Sequence, residues 1–313
     1  MLRYVIRRVL YAIPILLGVS LLTFLLFYCT VTPEQMAKRN LSAKNPSPEQ
    51  IQGWLREHGY DKPRSEQFEK HIRELFGFQF GNSDATGEPI WDKLKAGAGP
   101  SLLIGSTLFF AGLLTSITLS LYVAYYRGTY LDYWATFLCV LLMSINIIVY
   151  IVAGQWFFSK VLRLSPLAGY ESGPAALKFI LIPAIIGVLS GIGGSVRFYR
   201  TVILEEINQD YVRTARAKGI GENRVLFRHV LKNASIPILT STVTAIPSLV
   251  LGGLLIESFF NIPGLGSLTV DAIQSQDFAV VRAMVFLGTV LYIIGLVLTD
   301  ISYALFDPRV RLE

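Results

Sequence analysis

Residues 101–125 read SLLIGSTLFFAGLLTSITLSLYVAY. No side chain in that run is charged. As an α-helix rising ~1.5 Å per residue it would reach about 37 Å, enough to cross a hydrocarbon core ~30 Å thick. Five more predominantly apolar runs flank it, at Val9–Tyr28, Tyr133–Phe158, Ala176–Val196, Ser235–Ile256 and Val281–Leu305. The composition agrees. The 313 residues are 52% hydrophobic and only 16% charged, against roughly 25% charged in a soluble domain. An ordinary soluble enzyme and a disordered chain are excluded. So is a membrane β-barrel, whose strands alternate over ~10 residues. The expectation is an all-α polytopic membrane protein with six transmembrane helices.

The pieces between the runs divide the chain into an N-terminal helix (1–30), an external segment (31–100) and a core (101–313) with a basic connection at 197–234. Lys and Arg accumulate in cytoplasmic loops. One side collects Arg3, Arg7, Arg8, Arg127, Arg309 and Arg311. It also collects Arg197, Arg200, Arg213, Arg216, Lys218, Arg224, Arg228 and Lys232. The other side, with its long first loop set aside, keeps Lys160, Arg163, Lys178 and Arg282. Both termini and the basic connection are therefore expected in the cytoplasm. The first run exceeds the 7–15 apolar residues of a signal peptide and no A-x-A site follows, so it is expected to stay as a transmembrane helix. Cys29 and Cys139 sit in apolar runs and imply neither disulfide nor metal cluster.

In the external segment, Ile51, Trp54 and Leu55 in Pro46–Tyr60, and Phe68, Ile72, Leu75 and Phe76 in Gln67–Phe76, recur at helical spacing. They predict a small folded cap. His58 and His71 are not spaced as metal ligands and read as surface residues. Catalytic patterns are missing: no Gly-Lys dipeptide and hence no phosphate loop, no H-E-x-x-H, no G-x-S-x-G, no C-x-x-C. Glu257, Arg282 and Asp300 lie near the ends of runs, where they would anchor. Asn146 and Gln155, within a run, would hydrogen-bond neighbouring helices. No catalytic residue and no metal site are expected. Such a chain either conducts passively, as a stand-alone channel or secondary transporter, or takes energy from a partner. A membrane-embedded enzyme would need a nucleophile–base pair that is not seen.

The basic connection carries the sharpest local signal, Asp210-Tyr-Val-Arg-Thr-Ala-Arg-Ala-Lys-Gly219. Asp210 suits an N-cap, Lys218 the last turn and Gly219 the residue just past the end. A helix of about two turns is marginal alone in water, so something must hold it. Ala215 and Ala217 are small enough to let it enter a groove on another protein, with Arg213, Arg216 and Lys218 reaching acids on the rim. A second helix, Arg224–Lys232, leads through Pro237 into the fifth run. Binding of the basic residues to lipid headgroups would explain the charge but not the capped helix.

This stretch, with Arg228-His-Val-Leu-Lys-Asn-Ala234 following, resembles the "EAA" loop of ABC-importer permeases, and more narrowly the B-type subunit of the dipeptide/oligopeptide/nickel family. Met1–Leu10, Phe78–Ser83, Ser165–Gly169, Phe260–Gly266 and Asp307–Arg309 also resemble that family. Arg213-Thr-Ala215 stands where the general pattern has Glu-Ala-Ala. The resemblance implies a non-catalytic inner-membrane permease for peptides or a similar small solute. It implies a homologous second permease, two ATPase subunits that bind ATP and Mg²⁺, and an external solute-binding protein as partners, with no cofactor in this chain and no nucleic acid. The residues implied to couple to the ATPases are Asp210, Tyr211, Arg213, Thr214, Ala215, Arg216, Ala217, Lys218, Gly219 and Arg228. Gly187-x3-Gly191, Gly193-Gly194 and Gly252-Gly253 would let helices approach closely, and Pro183, Pro237 and Pro247 would kink them.

Overall fold

The computed structural model describes residues 2–30, 32–41, 46–246, 249 and 253–306. The expected kink at Pro247, Gly252, and the 307–311 run lie outside the described residues. Among these residues all regular elements are helical, and Asn82 and Pro89 form one isolated β-bridge. In chain order they are α1 (Leu2–Thr30), α2 (Pro33–Asn40), α3 (Pro48–His58), α4 (Arg64–Phe76), α5 (Ile90–Tyr125) and α6 (Tyr130–Ser144). Then come α7 (Ile147–Gly154), continuing as a π-helix over Gln155–Val161, α8 (Ala176–Ile207) and α9 (Asp210–Ala217). Last are α10 (Glu222–Arg224), prolonged by a π-helix at Val225–Val230 into α11 (Leu231–Thr244), α12 (Leu254–Phe259), α13 (Leu265–Ser275) and α14 (Phe278–Phe306).

Among the described residues, three helical stretches are long and apolar enough to cross a membrane: Ile90–Tyr125, Gly173–Ile207 and Phe278–Ile301. Most of each apolar window is unburied. Leu114 is 70% exposed and Trp134 67%, and hydrocarbon rather than water suits such surfaces. The apolar part of α1, Leu10–Leu26, is shorter. The run read as one span at Tyr133–Phe158 is two helices, Tyr130–Ser144 and Ile147–Val161, bent by 94°. The cause is local. Ile145 and Asn146 adopt extended backbone, and Asn146 Oδ1 accepts from Ile148 N at 2.9 Å as an N-cap. An asparagine side chain offers the backbone this alternative to helix. The run read at Ser235–Ile256 is likewise not one helix, since α11 ends at Thr244 and α12 begins at Leu254.

The chain divides into two compact units. One holds residues 1–98 and 268–294. Here Thr32 and Ser47 each close a capping box on α2 and α3. Trp54 packs with Met36 and Ala37, and its ring stacks on His58 at 4.0 Å. Asp277 accepts from Ser83 Oγ and from Asp84 N at 3.1 Å, and Asp84 accepts from Ala279 N at 3.1 Å, which ties the 81–88 turn to the start of α14. Phe78 and Phe76 pack edge-on against Phe286.

His71 is not a surface residue. It is 3% exposed, its ring lies 5.6 Å from that of Phe24, and its Nδ1 lies 3.4 Å from Arg282 Nη1. Burial, with Arg282 adding to it, lowers its pKa to about 4. Above pH ~6.5 the imidazole is neutral folded or unfolded. As pH falls toward 4 the unfolded chain takes up the proton first, so stability drops, by about 3 kcal/mol at 1.36 kcal/mol per unit. The protection factors of the α4 amides in the full chain, that is, exchange rates referred to the intrinsic rate at each pH, are expected to fall between pH 6.5 and 4, and His71→Phe to flatten that slope. An unchanged slope in the variant would show that another group titrates.

The other unit holds residues 99–267 and 295–306. Gly193 lets α8 approach α6 closely, because a Cβ there would sit 2.5 Å from the Cys139 carbonyl oxygen. Arg200 clamps the same pair of helices by a two-pronged ion pair with Asp132, Nε–Oδ1 at 2.9 Å and Nη2–Oδ2 at 2.8 Å. Thus Arg197 and Arg200, assigned by sequence to the basic connection, lie on α8, which ends only at Ile207.

Candidate functional site

The short helix α9 is present, with its start moved by one residue. Gln209 occupies the N-cap with extended backbone and no side-chain cap, so Asp210 is the first helical residue instead of the cap. The Asp210 carboxylate meets Arg213 Nη1 at 3.3 Å, and its carbonyl accepts from Thr214 Oγ1 at 3.0 Å. The far end closes as the sequence suggests. Gly219 has φ +73°, its N–H donates to Arg216 O at 2.9 Å, and Ile220 N–H donates to Ala215 O at 3.3 Å. That is the paired closure of a Schellman motif, and Ile220 supplies its apolar contact by packing against the cluster described next.

What holds the two turns is this chain itself. Val212 is fully buried and Ala215 is 5% exposed, in a cluster with Leu121 and Ala124 of α5, Ile203 and Ile207 of α8, Val225 and Val230 of the π-helix, and Ile238 of α11. Fully burying one Val-sized side chain contributes about 1.5–3 kcal/mol, which offsets the marginal stability of so short a helix. Ala215 therefore does not face a partner's groove. Arg216 is also engaged, since its guanidinium bonds both oxygens of Glu222, with Nε–Oε2 at 3.0 Å. The Arg216 hydrogen bond and charge hold the Glu222 carboxyl below its usual range. Tyr211 donates its hydroxyl proton to Glu206 Oε2 at 2.6 Å, and burial together with that carboxylate pushes its pKa up to about 12.

The remaining residues, Asp210, Arg213, Thr214, Ala217 and Lys218, fall at i, i+3, i+4, i+7 and i+8 and are all exposed. They form one outward stripe, with Gly219 at its end and Arg228 exposed on the following π-helix. The helix is thus seated by one face and open on the other.

A second constellation was not legible as such. Glu257, read as an anchor, is fully buried and collects four donors. They are Ser101 Oγ at 2.8 Å, Gly253 N at 3.1 Å, Gly266 N at 2.7 Å and Ser267 N at 3.3 Å. This explains Phe260-Asn-Ile-Pro-Gly-Leu-Gly266. Asn261 takes the left-handed position after α12 (φ +52°), with Ile262 N–H returning to Glu257 O at 2.9 Å. Pro263 stops the helix. Gly264 and Gly266 leave room for the carboxylate, since a Cβ at Gly264 would lie 2.5 Å from Ser101 Oγ and one at Gly266 2.9 Å from Glu257 Oε2. Gly169 N–H donates to Phe260 O at 2.8 Å, and Gln155 Nε2 bridges Leu167 O and Phe259 O. The intramembrane glutamine of the sequence reading thus ties two turns together. A left-handed asparagine followed by proline was the available signal; a partner 156 residues distant was not.

Residues 116–312 match the family described as binding-protein-dependent transport system inner membrane component, and residues 1–93 match that of the N-terminal part of such membrane components. The chain is 31% identical to the oligopeptide transport system permease protein AppB of Bacillus subtilis, over 98% of this chain and 99% of that one. It is 33% identical to a putative peptide transport system permease protein of Brucella abortus, over 99% of both. It is 29% identical to the dipeptide transport system permease protein DppB of Escherichia coli, again over 99% of both.

Proposed function

The chain belongs to the family of binding-protein-dependent transport system inner membrane components, non-catalytic permease subunits of ABC transport systems, and from that premise we propose that it forms half of an ATP-driven import pathway for peptides. The peptide assignment rests on the relatives, which are peptide transport permeases by name. Its partners in this reading are a homologous second permease, two ATPase subunits that hold ATP and Mg²⁺, and an external binding protein that delivers the solute. The chain crosses the membrane six times with both termini and α9 in the cytoplasm, a placement supported by the distribution of Lys and Arg.

The observation that carries the coupling role is the two-faced α9. Its outward stripe, Asp210, Arg213, Thr214, Ala217 and Lys218, offers charge and small side chains to an ATPase groove. Its buried face is continuous with α5, α8 and α11 through one apolar cluster. Protein interiors are close-packed and transmit displacement, so a shift of α9 reaches three helices at once. The π-helix at Val225–Val230 lies in the same path, and such segments often mark functional sites.

Reversing charge on the stripe tests this. The double variant Arg213→Glu, Lys218→Glu is expected to lose at least tenfold in co-purified ATPase and in uptake. Its thermal unfolding should stay within about 4 °C of the parent, because both side chains are exposed and only the Arg213–Asp210 pair and the Lys218 charge at the helix end are lost. ATPase capture undiminished by this variant would remove α9 as the docking element.

A further inference from the structure

A groove of about 520 Å³ lies between α5, α8 and α11, and among the described residues no Asp, Glu, Lys, Arg or His lines it. Most hydroxyls on these helices fold back onto their own backbone. Thr115 donates to Ala111 O at 2.7 Å, Ser190 to Gly187 O at 2.9 Å and Thr242 to Ile238 O at 2.7 Å. Ser116 and Ser195 line the groove and have no hydrogen-bond partner among the described residues. Ser116 is only 2% exposed. Its hydroxyl oxygen, unpaired within the helix, opens onto the groove rather than being sealed in the protein, so it is free to bond what occupies that space.

Gly112 and Gly191 line the same groove, and a Cβ at either would meet nothing within 4 Å. Neither has a left-handed backbone. Glycine inside a helix is about 1 kcal/mol less favourable than alanine, and packing among the described residues does not account for these two. Open space on an uncharged wall with two unsatisfied hydroxyls suits a solute that presents both donors and acceptors. We propose that this groove is the subunit's wall of the solute passage, and that Ser116 and Ser195 hydrogen-bond the main-chain amides of a peptide in transit. The inference rests on the permease reading above. Every peptide residue except proline offers one N–H and one C=O whatever its side chain, and a hydroxyl can serve either. With no fixed charge in the wall, a charged side chain is not held there. The glycines leave headroom for bulky ones.

The test uses the complete transport complex in membrane vesicles and a small hydrophilic methanethiosulfonate reagent. Labelling rates are taken above that of the unsubstituted chain. Ser116→Cys and Ser195→Cys are expected to react at least tenfold faster than Leu114→Cys, an exposed position on another face of α5, and to be slowed by saturating peptide. Gly191→Trp is expected to cut uptake at least tenfold while binding-protein-stimulated ATP hydrolysis persists. Labelling no faster than at Leu114→Cys would mean that a helix of the second permease or lipid fills the groove, and would overturn the proposal. So would labelling indifferent to peptide. Should Gly191→Trp fail to reach the membrane, the two cysteine variants decide. Absence of ATP-dependent uptake by the unsubstituted complex would instead strike the permease reading itself.

Discussion

Glu257→Ala is expected to lower the thermal unfolding temperature of the detergent-solubilised protein by about 10 °C or more, corresponding to a loss on the order of 5 kcal/mol. The residue is fully buried and accepts from Ser101 Oγ and from the backbone N–H groups of Gly253, Gly266 and Ser267. Truncation leaves four donors with no acceptor, and each buried unsatisfied group costs roughly 1–3 kcal/mol, less than additively here because they share one site. Ser101 Oγ would retain its bond from Leu265 N at 2.7 Å, which keeps part of the turn. Gly264→Ala is expected to act by the opposite route, driving a methyl group against the Glu257 carboxylate and Ser101 Oγ. Both variants should lose membrane abundance together with stability. An unfolding temperature within about 1 °C of the parent for Glu257→Ala would show that the carboxylate does not organise the turn.

Ala215→Arg is expected to abolish uptake by unseating α9 rather than by blocking contact with an ATPase. Ala215 is buried in one apolar cluster with Val212, Ile203 and Val225, and burying an unpaired charge there is far more costly than exposing the helix. The released turns would lose the Arg216–Glu222 pair as well. Trypsin should then cut after Arg216 at least tenfold faster than in the parent, whereas the stripe variant Arg213→Glu, Lys218→Glu, which retains Arg216, should be cut there at the parent's rate because α9 stays seated. Ala215→Ser, close in volume, should retain uptake within about twofold. Gly219→Pro should resemble Ala215→Arg, because proline fixes φ near −65° where the native value is +73° and removes the N–H that bonds Arg216 O. Slow cleavage in Ala215→Arg with ATPase capture lost would return Ala215 to the docking surface.

These two predictions separate what could be read along the chain from what could not. The apolar runs at Ser101–Tyr125, Ala176–Val196 and Val281–Leu305 correspond to α5, α8 and α14, because hydropathy is a sum over neighbours in sequence. The stop at Gly219 was equally visible, since a helix end is decided by residues within one turn. The start of α5 and the end of α8 were misplaced; α8 runs on past Val196 because a polar residue such as Arg200 remains helical when a partner takes its charge, here Asp132. The break at Asn146 was missed because an asparagine in an apolar run reads equally as a packing residue and as a cap.

The amino-acid order by itself determined that the chain is helical and lipid-facing, and that a basic connection contains a two-turn capped helix. Only the tertiary structure decided which face of that helix is free. It alone showed that Arg216 is tied to Glu222, that His71 is inside, and that Glu257 organises a turn with Ser101. Capping acts within one turn and hydropathy over a window of about 20 neighbouring residues, so both are written in local order. Burial and ion pairing join groups tens to hundreds of positions apart, and exist only once the helices have packed.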